Sequence, residues 1–232
     1  MKINFFQITS FLLLVAMVAC KKDNYKEPSA QLSGQLQYKG EIINVERNQV
    51  PFQLYQYGFG KVGAINGTFA QDGTYGALLF NGNYKLLIPS GQGPFIWKEL
   101  APGVPDSMAV TMNGDQTLNI EVTPYYMIRN AQATAAGGKV TATFKADKII
   151  QDANAKDIER VSLYINSGQF VGTDNIAAMD MSGAAITDPG NISLQVTIPT
   201  ITPTQNYVYA RVGLKIANVE DMIFSPLLKV SF

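Results

Sequence analysis

The chain has 232 residues, with 18 Lys and Arg against 18 Asp and Glu, so no net charge draws it to nucleic acid or to an anionic membrane patch. Its 12 phenylalanines and 11 tyrosines, beside only 16% charged residues, favour strands and argue against disorder. Histidine is absent and cysteine occurs once, which removes Ser–His–Asp and Cys–His nucleophiles, histidine-based zinc sites and any internal disulfide.

The single cysteine, Cys20, closes an apolar run (FLLLVAMVAC, from Phe11) that follows a start carrying Lys2. A basic start, a short apolar stretch and a small residue before cysteine have the layout of a bacterial lipoprotein signal over residues 1–19. A spanning helix needs about 20 mostly apolar residues, more than Phe11–Ala19 offers. An uncleaved anchor, and ordinary cleavage leaving a free thiol, are the competing readings. On the first reading the mature chain keeps 213 residues and loses Lys2, so 17 basic side chains face 18 acidic ones. Acyl chains on Cys20 would then hold it to a membrane, each buried CH₂ contributing about 0.8 kcal/mol. Residues 20–29 (KKDNYKEPS after Cys20) are polar, contain Pro28 and read as a flexible tether.

Beyond the tether, short apolar alternations separated by turn residues predict an all-β chain. Strands are expected at Leu32–Tyr38, Pro51–Gly58, Thr68–Phe69, Asn83–Pro89 and Thr117–Ile128. Asn66-Gly67, Asp72-Gly73, Asn81-Gly82 and Asn113-Gly114 are expected to turn the chain. The Gly- and Pro-rich stretch Ser90–Asp106 reads as a surface excursion. Pro124 marks a joint, which gives a first sandwich over 30–124 and a second over 125–232. In the second, strands flank Gly137-Gly138 and recur at Val161–Ile165, Ile192–Ile198, Val208–Ile216 and in the last eight residues. That spacing resembles an immunoglobulin or fibronectin type III sandwich. The best helix candidate, Ala153–Arg160, is short and polar.

The lipidated start, NYKEPSAQLSGQL, FNGNYKLLIPSGQGPF (Phe80–Phe95), VTPYY (Val122–Tyr126) and YARVG (Tyr209–Gly213) together resemble a family of two-domain Bacteroidetes outer-membrane lipoproteins of unknown function. The resemblance covers nearly the whole mature chain. It implies a transthyretin-like or carboxypeptidase-regulatory-like β-sandwich followed by the immunoglobulin-like one. It also implies genes beside SusC/SusD-type pairs for glycan capture. The CKKDN start resembles the charged tag that sends such lipoproteins to the cell surface.

A glycan site needs an aromatic platform with amide or carboxylate groups nearby. Phe95 and Trp97, in the Gly-rich excursion, and Tyr57, Phe59 and Tyr75, near turns, are the candidate glycan contacts. The commoner fate of a large aromatic, packing in a core or at a domain joint, competes with this assignment. Asp106, Asp115 and Glu99 read as loop charges, because nothing sets two of them across a bond as a glycosidase requires. No run of oxygen ligands forms a calcium loop. Asp106-Ser107-Met108 matches a short O-glycosylation pattern, with Ser107 as acceptor. The resulting expectation is a non-catalytic, lipid-anchored outer-membrane protein facing the exterior, without metal or cofactor. It would bind glycan as an accessory of an uptake system, or else dock on a SusC/SusD-type complex without binding sugar.

Overall fold

The computed structural model describes residues 26–58 and 62–232. Cys20 and Phe59 therefore lie outside the described residues, as does the signal segment. The chain is all-β and forms two sandwiches. Among the described residues the one helical segment is a 3₁₀ turn at Gly183–Ala185, and no helix is long and apolar enough to cross a membrane.

In the first sandwich, Ala30–Tyr38 is the centre of one sheet. It runs antiparallel to Thr74–Leu79 and parallel to the short strands Gln116–Thr117 and Ile120–Glu121. The facing sheet is antiparallel, in the order Met108–Met112, Gly82–Leu87, Pro51–Gln56, Ala64–Thr68. Alternation puts Leu32 and Leu36 of one sheet against Phe52, Leu54, Tyr84 and Leu86 of the other. Full burial contributes about 1.5–3 kcal/mol for each such aliphatic side chain. Phe52, Phe69 and Tyr75 form a ring triad with centroids 5.1–5.5 Å apart.

Asn66-Gly67 is not a turn. Both residues lie inside the Ala64–Thr68 strand, paired with Gln53 and Phe52. Gly67 is needed there because the Phe52 ring crosses it: an added Cβ would stand 2.3 Å from the ring's Cζ. The stretch expected as one strand from Thr117 is broken, because its pieces pair with different partners: the first strand, then Phe95–Ile96, then the second sandwich. Ala153–Arg160 forms no helix. Asp152 instead accepts the Asn154 N–H through its side chain and the Ala155 N–H through its carbonyl, so it closes a tight turn.

The second sandwich opposes a three-stranded sheet (Tyr126–Ala136, Lys139–Lys148, Ile192–Thr197) to a larger one. The first two strands form a hairpin at Gly137-Gly138, whose φ values of +57° and +74° suit a primed two-residue turn. The larger sheet runs Ala177–Ser182, Ile158–Asn166, Tyr207–Ile216, Ile223–Phe224, with Leu228–Ser231 also on Tyr207–Ile216. Its last strand comes from the other sandwich: Asn44–Val45 pairs antiparallel with Ile223–Phe224. Most of the buried side chains accordingly form one continuous cluster from Ala30 to Val230 across both sandwiches, and Tyr164, Val171, Met222 and Phe224 form a second, smaller one.

Candidate functional site

The crossing strand brings the loops of the two sandwiches together around Arg211. Arg211 alternates with Ala210 and Val212, so its side chain leaves the sandwich core, yet it is only 1% exposed because the first sandwich covers it. Its Nε donates to the Ser225 carbonyl (3.1 Å) and Nη1 to that of Val171 (3.1 Å). Nη2 donates across the joint to Val45 (3.2 Å) and Gln71 (2.9 Å). The guanidinium also lies 4.4 Å from the Phe224 ring centre. Burial lowers its pKa to about 10, while the Glu46 and Asp72 carboxylates push it back up, so at neutral pH it remains a cation.

Other bonds reinforce the joint. Arg129 links Glu41 of the first sandwich to Asp147 of the second. Its hydrogen bond holds the Asp147 carboxyl below its usual range. The Gly93 N–H donates to Asp221 Oδ2 at 2.7 Å. Burial raises the Asp221 pKa, and this Gly93 bond opposes the rise.

Beside Arg211 lies a cleft of about 240 Å³, lined from one side by Glu46–Gln49 and Gln71 and from the other by Phe170–Asp174. Gln71 clamps the second wall, donating to the Gln169 carbonyl and accepting from the Val171 N–H. Glu46 accepts both the N–H and the hydroxyl of Thr173. Asn166 donates to the Phe170 and Asp174 carbonyls, and Asn175 to those of Gly172 and Thr173. These side chains set the loop before any ligand arrives. On this frame the Phe170 ring stays 53% exposed, with the Arg47 guanidinium carbon 4.0 Å from its centre. Asn48, Gln49 and Asp174 are exposed on the rim. A half-open ring beside amide, guanidinium and carboxylate groups can take the apolar face of a sugar and reach its hydroxyls.

The aromatic residues singled out in the sequence lie elsewhere. Trp97 is 8% exposed and donates its indole N–H to the Asp106 carbonyl at 2.8 Å. Phe95 is 4% exposed, packs over Gly93 and belongs to a strand pair with Thr123–Pro124 at the joint. Tyr75 is buried, its hydroxyl donating to the Leu118 carbonyl; burial raises its pKa. None of these three rings offers a face to a ligand: Phe95 and Trp97 are packed where the Gly- and Pro-rich excursion turns inward, and Tyr75 is packed in the ring triad of the first sandwich. Tyr57 is 55% exposed, with Lys85 Nζ 5.9 Å from its ring centre, but it lies outside the cleft lining. Ser107 is half-buried, with its N–H on Asp106 Oδ1. Glu99 accepts from Ser90 and Gly103, and Asp115 from the Gln31 N–H, so both shape loops. Replacing Trp97 by Phe should cost about 1–2 kcal/mol in urea unfolding, by stranding the Asp106 carbonyl. Ligand binding at the cleft should be unchanged.

A larger depression, about 690 Å³, lies at one end of the second sandwich, lined by Tyr126, Lys148, Ile158, Ile186 and Pro189 among others. Its one ring, Tyr126, is buried and its hydroxyl donates to the Lys156 carbonyl. The smaller cleft is therefore the better candidate, since it combines an open ring with uncommitted polar groups. Among the described residues no group of three or more His, Cys, Asp or Glu is arranged to hold a metal ion.

Two family models match the chain, one for each sandwich. Residues 30–123 match the protein of unknown function DUF3823, N-terminal domain, and residues 126–229 match the domain of unknown function DUF3823_C. The chain belongs to the DUF3823 family. A DUF3823 protein from Parabacteroides merdae is 32% identical, with a TM-score of 0.77 over 89% of this chain and 100% of its own. One from Bacteroides ovatus is 30% identical, with a TM-score of 0.76 over 88% and 99%. A Bacteroides uniformis protein described as a candidate carbohydrate binder shares the fold at 15% identity, with a TM-score of 0.65 over 89% and 100%. None of the curated proteins matches the chain.

In this DUF3823 chain the cleft went unread in the sequence because its walls are about a hundred residues apart. The one local signal was the polar run Glu46–Gln49, which follows Ile43–Val45 without a turn dipeptide. Arg211 sits inside YARVG, a motif carried by the family resemblance. Its charge amid Val208, Ala210, Val212 and Leu214 marks a strand whose outer face is covered rather than solvated.

Proposed function

We propose that this DUF3823 chain is a non-catalytic, lipid-anchored envelope protein that binds glycan in the cleft between its sandwiches. Its place would be as an accessory of an outer-membrane polysaccharide-uptake system. The observation that carries the reading is the Phe170 ring, held half-open on a loop already fixed by Asn166, Asn175 and Gln71. A pre-set loop spares the ordering cost of binding. A cavity of about 240 Å³ suits one sugar unit, the rest of the glycan lying outside. The fold shared with the candidate carbohydrate binder of Bacteroides uniformis supports the same reading. Lipid at Cys20 would confine the protein to the outer surface, where high effective concentration makes a weak site useful.

Isothermal titration of the chain without residues 1–20 against a glycan panel is the test. Phe170→Ala should weaken binding by about tenfold or more, since a lost stacking contact of about 1.4 kcal/mol is a factor of ten. Its effect on stability should stay within about 0.5 kcal/mol, as for other exposed positions. Flat titrations for both proteins across the panel contradict the reading.

A second reading rests on a different observation. Glu99–Ala101 and Val104–Pro105 form a small hairpin whose Leu100 is 73% exposed, with Val104 also exposed. Glu99 fixes the turn through the Gly103 N–H. An ordered apolar tip suits docking on a SusC/SusD-type partner. Co-purification with such a pair that survives Phe170→Ala but not Leu100→Asp favours this role over sugar binding.

A further inference from the structure

We propose that the cleft takes a carboxylated sugar, a uronate, with Arg47 as the partner of its carboxylate; this rests on the glycan reading above. The four arginines of the chain differ in what their guanidinium groups meet. Arg129 is bound to Glu41 and Asp147, Arg160 lies beside Glu159 and the Met222 sulfur, and Arg211 is spent on four carbonyls. Arg47 meets neither a carboxylate nor a carbonyl among the described residues, and its contact is the Phe170 ring. A ring 4.0 Å from the guanidinium carbon positions the group without using its N–H donors, which are left to act as a two-pronged donor. That fork matches a carboxylate.

The acidic neighbours do not cancel it. The Glu46 carboxylate is already engaged across the cleft, accepting the Thr173 N–H and hydroxyl through Oε1. Asp174 is exposed on the opposite wall. There it accepts sugar hydroxyls and repels a carboxylate placed on its own side, which fixes which way round the sugar enters. The chain as a whole is neutral, so long-range attraction adds nothing and selectivity must come from this contact.

The test is calorimetric titration of the full chain in detergent with oligogalacturonate, oligoglucuronate and oligomannuronate. Each is run beside its own carboxyl-methyl ester, which keeps rings and linkages and removes the charge. At least one uronate should bind about tenfold or more tighter than its ester, a difference weakened by salt. Arg47→Gln should erase the difference, and Arg47→Lys should restore only part of it, because an ammonium lacks the fork. Unchanged melting temperatures for both variants confirm that the fold is intact. Esters that bind as well as the acids overturn the uronate assignment and leave the glycan reading standing. Silence from acids, esters and neutral glycans alike overturns both.

Discussion

Arg211→Met should lower the stability of the chain by about 3–5 kcal/mol, the range for removing one partner of a buried charged network. Methionine fills much of the volume, so the loss isolates the hydrogen bonds. Four carbonyls lose their donor: those of Ser225, Val171 and Val45 in buried bonds, and that of Gln71 in a part-buried one. Two of them belong to the first sandwich and two to the second, so the damage falls on the joint. The melting temperature should fall by about 6–20 °C, at about 2–4 °C per kcal/mol for a chain of this size. Arg211→Lys should recover little, because an ammonium cannot reach four carbonyls spread around a planar fork. A loss below about 1 kcal/mol for Arg211→Met would mean that the joint is held by the Asn44–Val45 pairing and by apolar contact alone.

Gly34→Ala is the second large effect, and it arises within the first sandwich. Gly34 is in the middle of the first strand, opposite Tyr75. The chain pairs in parallel with that strand at Gln116–Thr117 and again at Ile120–Glu121, and between the two contacts Leu118 passes over Gly34. An added Cβ would stand 1.8 Å from the Leu118 carbonyl oxygen and 2.9 Å from the Tyr75 ring. The obstacle is backbone, so no side-chain rotation relieves it. The Leu118 N–H bond to Ser33 and the Tyr75 hydroxyl bond to Leu118 would both be displaced. Over-packing of this kind costs about 3 kcal/mol or more, visible as a shifted urea midpoint with an unchanged slope. Ser33→Ala, one residue away, should cost less than about 1 kcal/mol.

The two-sandwich fold was legible because its strands carry alternation that needs no long-range information. Val208, Ala210, Val212, Leu214 and Ile216 all point into the core, and Gly137-Gly138 turns its hairpin. The misreadings came where a distant group overrides a local preference. Asn66-Gly67 has turn chemistry, but the Phe52 ring needs a strand residue without a Cβ there. For Trp97 the sequence left two readings, a displayed ring or one packed in a core or at the joint, and the packed one holds. Its neighbours Gly93 and Phe95 are tied to Asp221 and Pro124, contacts that no local pattern announces. The cleft residues are ordinary polar residues in the chain. Their arrangement depends on the Asn44–Val45 strand crossing to the other sheet, with partners nearly 180 residues away.

The proposed site puts the sugar between the sandwiches, against Phe170 and Arg47. Amide chemical-shift mapping of the chain during titration with the tightest-binding glycan tests it most directly. Shifts concentrated at residues 46–49, 71 and 169–175, saturating on one curve and lost in Phe170→Ala, are the predicted result. Saturable shifts that leave those residues still and gather around Tyr57 or in the depression beside Tyr126 would contradict it.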